Sequence, residues 1–316
     1  MGRTLTNDFS WSKSRHEKFS ECLRAYYLQY YASWGGWDRT APEEARALYT
    51  LKKLGNRFTW AGSMVHDAVK GVLLDLRVGR EPDEEATVAR VHRLMQGDWK
   101  FSSRKSYWTS KHRKEFSGLV EHEYAEPLGP EEWKRNWEST EQALRGFFKS
   151  RWMPLARSLQ PNQWLEVDEG FENSQFVLDG VKVFAIPDFA YLEPDGSAVV
   201  VDWKTGKSRE GYDEQVLGYV LYLSIRYRLP LDRIKASLVY LNEGTEHTVE
   251  VDPQAMETYR AHFKKSVAQM KDLLRDPDSN LPKERELFPM TEDLSACARC
   301  VFRRPCGREG ARERVA

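Results

Sequence analysis

The chain predicts an α/β fold in which an N-terminal helical region precedes a mixed central sheet flanked by helices. Three observations carry that reading. Up to about residue 158 apolar side chains recur at helical spacing. From Gln163 they alternate, as in half-buried strands. Finally, residues 181–223 read as strand, tight turn, strand and helix, and the remaining segments are arranged around this stretch.

The 316 residues are enough for one large domain or two small ones. Lys+Arg and Asp+Glu both number 48, so net charge points to no polyanionic partner, and a nucleic-acid face must come from segregated charge. The first ten residues lack the apolar core of a signal peptide, and no window approaches the ~18–20 apolar residues of a membrane span. The expectation is a cytoplasmic protein without a membrane partner. No phosphate-binding P-loop motif occurs, so any unwinding of a duplex belongs to a partner.

A first helix is expected over 9–34, capped by Ser10 or Ser12 and ended by Gly35-Gly36. A second follows over 42–54, with Pro42 in its first turn. A third, 57–78, is capped by Asn56 and stopped by Gly79; Met64, Val65, Ala68, Val69, Val72 and Leu73 form its buried face. Its Gly62 lets another backbone or a ligand approach, and His66 lies one turn beyond. A lone helical histidine is more often packed or solvated than ligating.

Residues 83–158 read as mostly helical, with breaks near Gly97, Pro127 to Pro130 and Pro154. The segment 99–114 interleaves Lys100, Arg104, Lys105, Lys111, Arg113 and Lys114 with Trp99, Phe101, Tyr107 and Trp108, and holds no acid. Cations neutralise phosphates and rings stack on bases, so Lys100, Arg104, Lys105, Tyr107 and Trp108 are candidate contacts to single-stranded nucleic acid. The competing reading is a solvated face.

Strands are expected at 164–167 and 176–178, a turn at Asp179-Gly180, and a long strand from Val181 to Leu192 carrying Asp188. The Asp195-Gly196 turn leads into an apolar strand that runs into Asp202-Trp203-Lys204. Alternation points Asp202 and Lys204 the same way and Trp203 the other. Beyond lie a helix at 209–226, a strand at 234–241, a turn at 242–244, a short strand at 247–251 and a helix from Pro253 to about Leu274.

Two carboxylates and an amine at the end of a buried hairpin suit a divalent metal beside a phosphate. Carboxylates hold Mg2+ or Mn2+, lysine stabilises developing charge, and the Trp203 carbonyl adds a further metal ligand. Asp98-Trp99-Lys100 repeats the tripeptide, but no apolar strand precedes it. Gln215 and Tyr219, four residues apart, share a helix face and can bind phosphates or base edges; alternatively they pack against the sheet.

Taken together, Ile186-Pro187-Asp188, Asp202-Trp203-Lys204-Thr205-Gly206, Gln215-x-x-x-Tyr219, Gly62-x-x-x-His66 and the opening helix at 12–27 resemble the PD-(D/E)xK nuclease superfamily in its RecB-like branch. The resemblance implies a restriction-endonuclease-like fold in a single nuclease domain. It implies His66, Asp188 and Asp202 as metal ligands, Asp188, Asp202 and Lys204 as catalytic residues, and Gln215 and Tyr219 as DNA contacts. It also implies exonuclease or end-trimming action favouring single-stranded DNA ends. The settings it suggests are DNA repair and recombination, CRISPR adaptation, and phage or antiviral DNA processing. Ala185 and Phe189 depart from the usual pattern, and 80–160 matches nothing specific and reads as a helical cover.

Cys297, Cys300 and Cys306 cluster near the C-terminus, and in a reducing compartment such a cluster suggests metal. With Cys22 the pattern is similar to RecB-like nucleases of the AddB and CRISPR-associated types, which implies a 4Fe-4S cluster joining Cys22 to the 276–316 segment. The alternatives are zinc held by the same four thiolates, and free thiols. Arg299, Arg303, Arg304 and Arg308 nearby are candidates to line a DNA path. A different class of reading is a non-catalytic iron–sulfur subunit that binds DNA ends within a helicase or integrase complex.

Overall fold

The computed structural model describes residues 6–109, 118–170, 173–207 and 211–311. Lys111, Arg113 and Lys114 of the basic segment lie outside the described residues.

After a two-residue strand, β1 (Ser10–Trp11), the expected first helix is present but broken. Ser12 caps α1 (Lys13–Glu21) by accepting the Arg15 N–H. Cys22 is then extended (φ −164°, ψ 116°) and starts α2 (Leu23–Tyr27), which widens into a π-helical turn at Leu28–Ala32. The Cys22 Sγ caps α2 by accepting the Ala25 N–H at 3.5 Å. The expected helices at 42–54 and 57–78 appear as α3 (Glu43–Lys52) and α4 (Arg57–Arg77).

α5 (Glu84–Ser103) runs straight through Gly97, where a break is expected: a single glycine costs only about 1 kcal/mol in a helix. α6 (Val120–Glu123) is one turn. α7 (Pro130–Lys149) and α8 (Trp152–Ser158) follow, with Pro154 inside the first turn of α8, where a missing N–H costs nothing.

The strands are β2 (Trp164–Glu166), β3 (Gln175–Leu178), β4 (Val181–Phe184), β5 (Phe189–Leu192) and β6 (Ala198–Lys204). The expected long strand at 181–192 is therefore two strands. Pro187 cannot donate to a ladder, and Asp188 sits in the bend before β5 rather than within a strand. Helix α9 (Tyr212–Tyr227), β7 (Ile234–Tyr240), β8 (Thr245–Val249) and α10 (Pro253–Lys271) come next. A small hairpin, β9 (Leu274–Asp276) and β10 (Leu281–Pro282), and the short α11 (Leu294–Arg299) close the chain.

The chain forms two compact units. The first joins residues 1–56, 98–126 and 263–316, and the second 57–97 and 127–262. Residues 80–160 are thus divided between them.

In the first unit Ala25, Leu28, Leu48, Leu51, Leu54, Tyr107 and Phe302 form a core against which Cys22, Cys300 and Cys306 pack. The second unit is built on a mixed sheet of order β2-β5-β6-β7-β8. β5 and β6 are antiparallel, with Phe189 opposite Val201 and Leu192 opposite Ala198. β6 and β7 are parallel, with Asp202 opposite Leu238; that pairing needs a crossover, which α9 supplies while packing on both strands. Trp203 points away from Asp202 and Lys204, as alternation requires, into a nest of Phe147, Trp152 and Phe189 rings.

Candidate active site

The second unit brings His66, Asp188, Asp202 and Lys204 together. α4 carries His66, and its Nδ1 lies 2.9 Å from Asp188 Oδ1. The other Asp188 oxygen accepts the Trp203 backbone N–H at 2.8 Å, which ties the bend before β5 to the end of β6. Asp202 is 2 % exposed. Its Oδ2 lies 2.6 Å from the Lys204 Nζ, off the line of a hydrogen bond, while its Oδ1 accepts from the Tyr219 hydroxyl at 3.3 Å.

α9 completes the arrangement. Lys204 donates to Gln215 Oε1 at 2.9 Å and sits 4.0 Å above the Tyr212 ring. The Gln215 Nε2 donates to the Tyr219 hydroxyl at 2.6 Å. Both ends of the Gln215 amide are thus engaged, and Tyr219 is buried. In this structure the two side chains, expected as DNA contacts, bond to Lys204 and Asp202 and to each other.

Burial, and then the nearby Asp188 charge, push the Asp202 carboxyl above the usual carboxylate range. Burial works against a charged His66, but Asp188 outweighs it and raises the imidazole to about 9. The two crowded carboxylates are oxygen donors of the kind Mg2+ and Mn2+ take, and the imidazole is a donor more usual for later divalent metals. The carboxylate pair fits such an ion chemically. Among the described residues, however, no three His, Cys, Asp or Glu side chains stand grouped as a finished metal site. Instead His66 closes on Asp188 and Lys204 on Asp202.

Gly62 lies where a Cβ would meet only Thr205 Oγ1 at 3.4 Å, an ordinary contact, so sterics on that side do not demand glycine. The repeated tripeptide Asp98-Trp99-Lys100 lies within α5, where residues two apart face different ways.

Several participants gave no signal in sequence. One helical turn beyond His66, Lys70 donates to the Asp168 carbonyl at 2.6 Å, and the Asp168 N–H donates to the Pro187 carbonyl at 3.2 Å. Helix α4 thereby grips the Asp188 bend a second time. Asn242 donates to the Thr205 carbonyl at 2.7 Å and fixes the turn after Lys204.

In the first unit Cys22, Cys297, Cys300 and Cys306 all line one small pocket. None forms a disulfide. Backbone N–H groups point at the sulfurs: Thr291 to Cys22 at 3.4 Å and Phe302 to Cys300 at 3.3 Å. Burial pushes the Cys300 thiol up to about 11. The four thiols share the pocket, but among the described residues they do not stand grouped as a finished metal site either.

The basic–aromatic segment has internal tasks. Tyr107 is 1 % exposed, so its ring cannot stack on a base. Its hydroxyl and the Trp108 indole N–H both donate to Glu123 Oε2 at 2.8 Å, and Lys105 donates to the Glu123 carbonyl at 2.7 Å. Lys100 and Arg104 remain exposed. Arg303, expected on a DNA path, is buried in an ion pair with Glu126, and Arg304 pairs with Glu123 and Glu309.

A mixed sheet with an acidic pair and a lysine at adjoining strand ends belongs to a nuclease class of α/β protein. A sequence model of the PD-(D/E)XK nuclease superfamily matches residues 10–307, and the chain belongs to that superfamily, whose members are generally phosphodiester hydrolases. No curated protein matches the chain. No helix among the described residues is long and apolar enough to cross a membrane.

Proposed function

We propose that the protein is a metal-dependent DNA nuclease that trims single-stranded ends. The observation that supports this best is the juxtaposition of His66, Asp188, Asp202 and Lys204, with Lys204 clamped between Asp202, Gln215 and the Tyr212 ring. His66, Asp188 and Asp202, with the Trp203 carbonyl, are the residues proposed to hold Mg2+ or Mn2+. When bound, that ion supplies Lewis-acid charge beside the phosphate.

The chain's own groups do the rest. Lys204 carries a fixed positive charge where phosphoryl oxygens gain negative charge. Gln215 and Tyr219 keep it from turning away and hold Asp202 in register. Trp203, locked among aromatic rings, prevents the strand end from twisting. In the first unit the four cysteines are proposed to hold a 4Fe-4S cluster, supported by their shared pocket and the amide donors to sulfur. The proposed setting is DNA repair, recombination or defence-related end processing, with a helicase or integrase as partner.

The test is cleavage of end-labelled single- and double-stranded DNA with Mn2+. The parent chain shortens single strands from an end, and Lys204→Ala cuts roughly 100- to 1,000-fold more slowly while still binding DNA. Cleavage by Lys204→Ala at the parent rate would sink the mechanism.

A further inference from the structure

Large apolar rings are informative when they stand exposed together, because packing does not explain them. Trp34 and Trp37 are 37 % and 42 % exposed on the turn between the π-helical segment and α3, in the first unit. That turn is held firmly. The Trp34 N–H donates to the Tyr31 carbonyl at 2.9 Å and the Gly36 N–H to the Ser33 carbonyl at 3.1 Å. Gly36 lies so close to α3 that a Cβ would stand 2.2 Å from the Ala45 carbonyl oxygen and 2.6 Å from the Tyr49 Cβ. The Trp34 and Trp37 rings meet edge to face at 4.9 Å and 87°, and Trp37 meets Tyr49 at 5.8 Å and 66°. In such a pair one ring offers only its edge, so its own faces are not covered by the other.

Two cations flank the rings. The Lys52 and Lys53 Nζ atoms stand 5.1 and 5.5 Å from the centre of the Tyr49 ring. Among the described residues neither has a carboxylate within ion-pair distance. Lys52 donates to the Gln29 carbonyl at 3.4 Å, and burial, then the Lys53 charge, push its pKa down to about 8. The acids of this stretch are engaged or distant. Asp38 accepts the Thr40 N–H and hydroxyl, both at 2.8 Å, and Glu44 pairs with Arg285 at 2.9 Å. Glu43 and Glu44 lie in the first turn of α3, about two turns from Lys52.

Two crowded ammonium groups without an acid favour an anion, and open ring faces favour a flat partner. Exposed tryptophans also suit a protein partner, but lysine is depleted from the cores of protein–protein interfaces. A single strand supplies both features, bases for the rings and phosphates for the lysines. We propose that Trp34, Trp37, Tyr49, Lys52 and Lys53 form a binding patch for single-stranded DNA on the first unit. The rings stack on bases, and the two lysines neutralise neighbouring phosphates. The patch grips the strand and takes no part in the chemistry of the second unit. The choice of DNA as the ligand rests on the nuclease reading.

The test reads binding of a fluorescein-labelled oligothymidylate by anisotropy, in EDTA, over a series of salt concentrations. Trp37→Ala is expected to weaken binding about tenfold, and Trp37→Phe to keep most of it. The double variant Lys52→Gln, Lys53→Gln is expected to weaken binding and to flatten the dependence of log affinity on log salt by about 0.7 for each lysine. Lys53 is exposed, so Lys53→Gln alone carries this part of the test if the double variant melts early. With Mn2+ and saturating DNA, all these variants are expected to cut at the parent rate. Parent-like binding by Trp37→Ala or by the lysine variants, in a chain that cuts DNA, overturns the patch alone; loss in Trp37→Ala only would mark an apolar partner instead. A chain that neither binds nor cuts the oligonucleotide overturns the nuclease reading as well.

Discussion

Glu123 shows how much one side chain decides. Its carboxylate takes hydrogen bonds from the Tyr107 hydroxyl, the Trp108 indole and the Arg304 guanidinium. Burial pushes its pKa up, but the Trp108, Arg304 and Tyr107 donors win and hold it below the usual carboxylate range. A carboxylate depressed in the folded state stabilises the protein above its unfolded value of about 4.3, and that stabilisation fades as pH falls through the folded value. Urea midpoints are therefore expected to drop on acidification below about pH 4.5. Glu123→Gln should lose about 1–3 kcal/mol at neutral pH and show a flatter acid limb. An unchanged acid limb in the variant would remove Glu123 from this role. Lys204 was legible at the same scale because alternation on a strand puts it beside Asp202. Lys70 and Asp168 were not, since their partners are backbone carbonyls of distant residues.

At the scale of elements, the end of the sheet is positioned by what packs behind it. Gly146 on α7 is the close-contact point: a Cβ there would lie 2.1 Å from the Leu241 carbonyl, just past the end of β7. The Leu241 N–H in turn donates to the Lys204 carbonyl at 2.9 Å. Gly146→Ala is thus expected to destabilise the second unit by about 1–3 kcal/mol, measured by chemical denaturation, and to lower any cleavage through a displaced Lys204. Full stability in the variant would show that α7 yields there. Element type was readable wherever the hydrophobic period was sustained, as in α4, β6 and α9. Boundaries escaped where one residue reset the backbone. The first helix breaks at Cys22, which is extended and caps the next helix with its sulfur, and Pro187 breaks the long strand because it lacks an N–H.

For the whole molecule, the cysteine pocket links segments far apart in sequence within the first unit. Cys22 belongs to the N-terminal helices, and the other three belong to a tail held by few core residues, Phe302 among them. If the pocket holds a cluster, purification without oxygen should yield a brown protein absorbing near about 400 nm. Stripping the metal, or Cys22→Ser, should lower the melting temperature and expose the 276–316 segment to protease. A colourless protein containing zinc would identify the other metal that these thiols suit. By itself the sequence determined the α/β class, the hairpin, and the residue types of the site. Those follow from period, turn chemistry and spacing, which are local properties of the chain. Only the tertiary structure decided that Gln215 and Tyr219 hydrogen-bond with Lys204, Asp202 and each other, and that Tyr107 is core. Partnership and burial depend on which distant segments pack together, and no local pattern in the sequence records that.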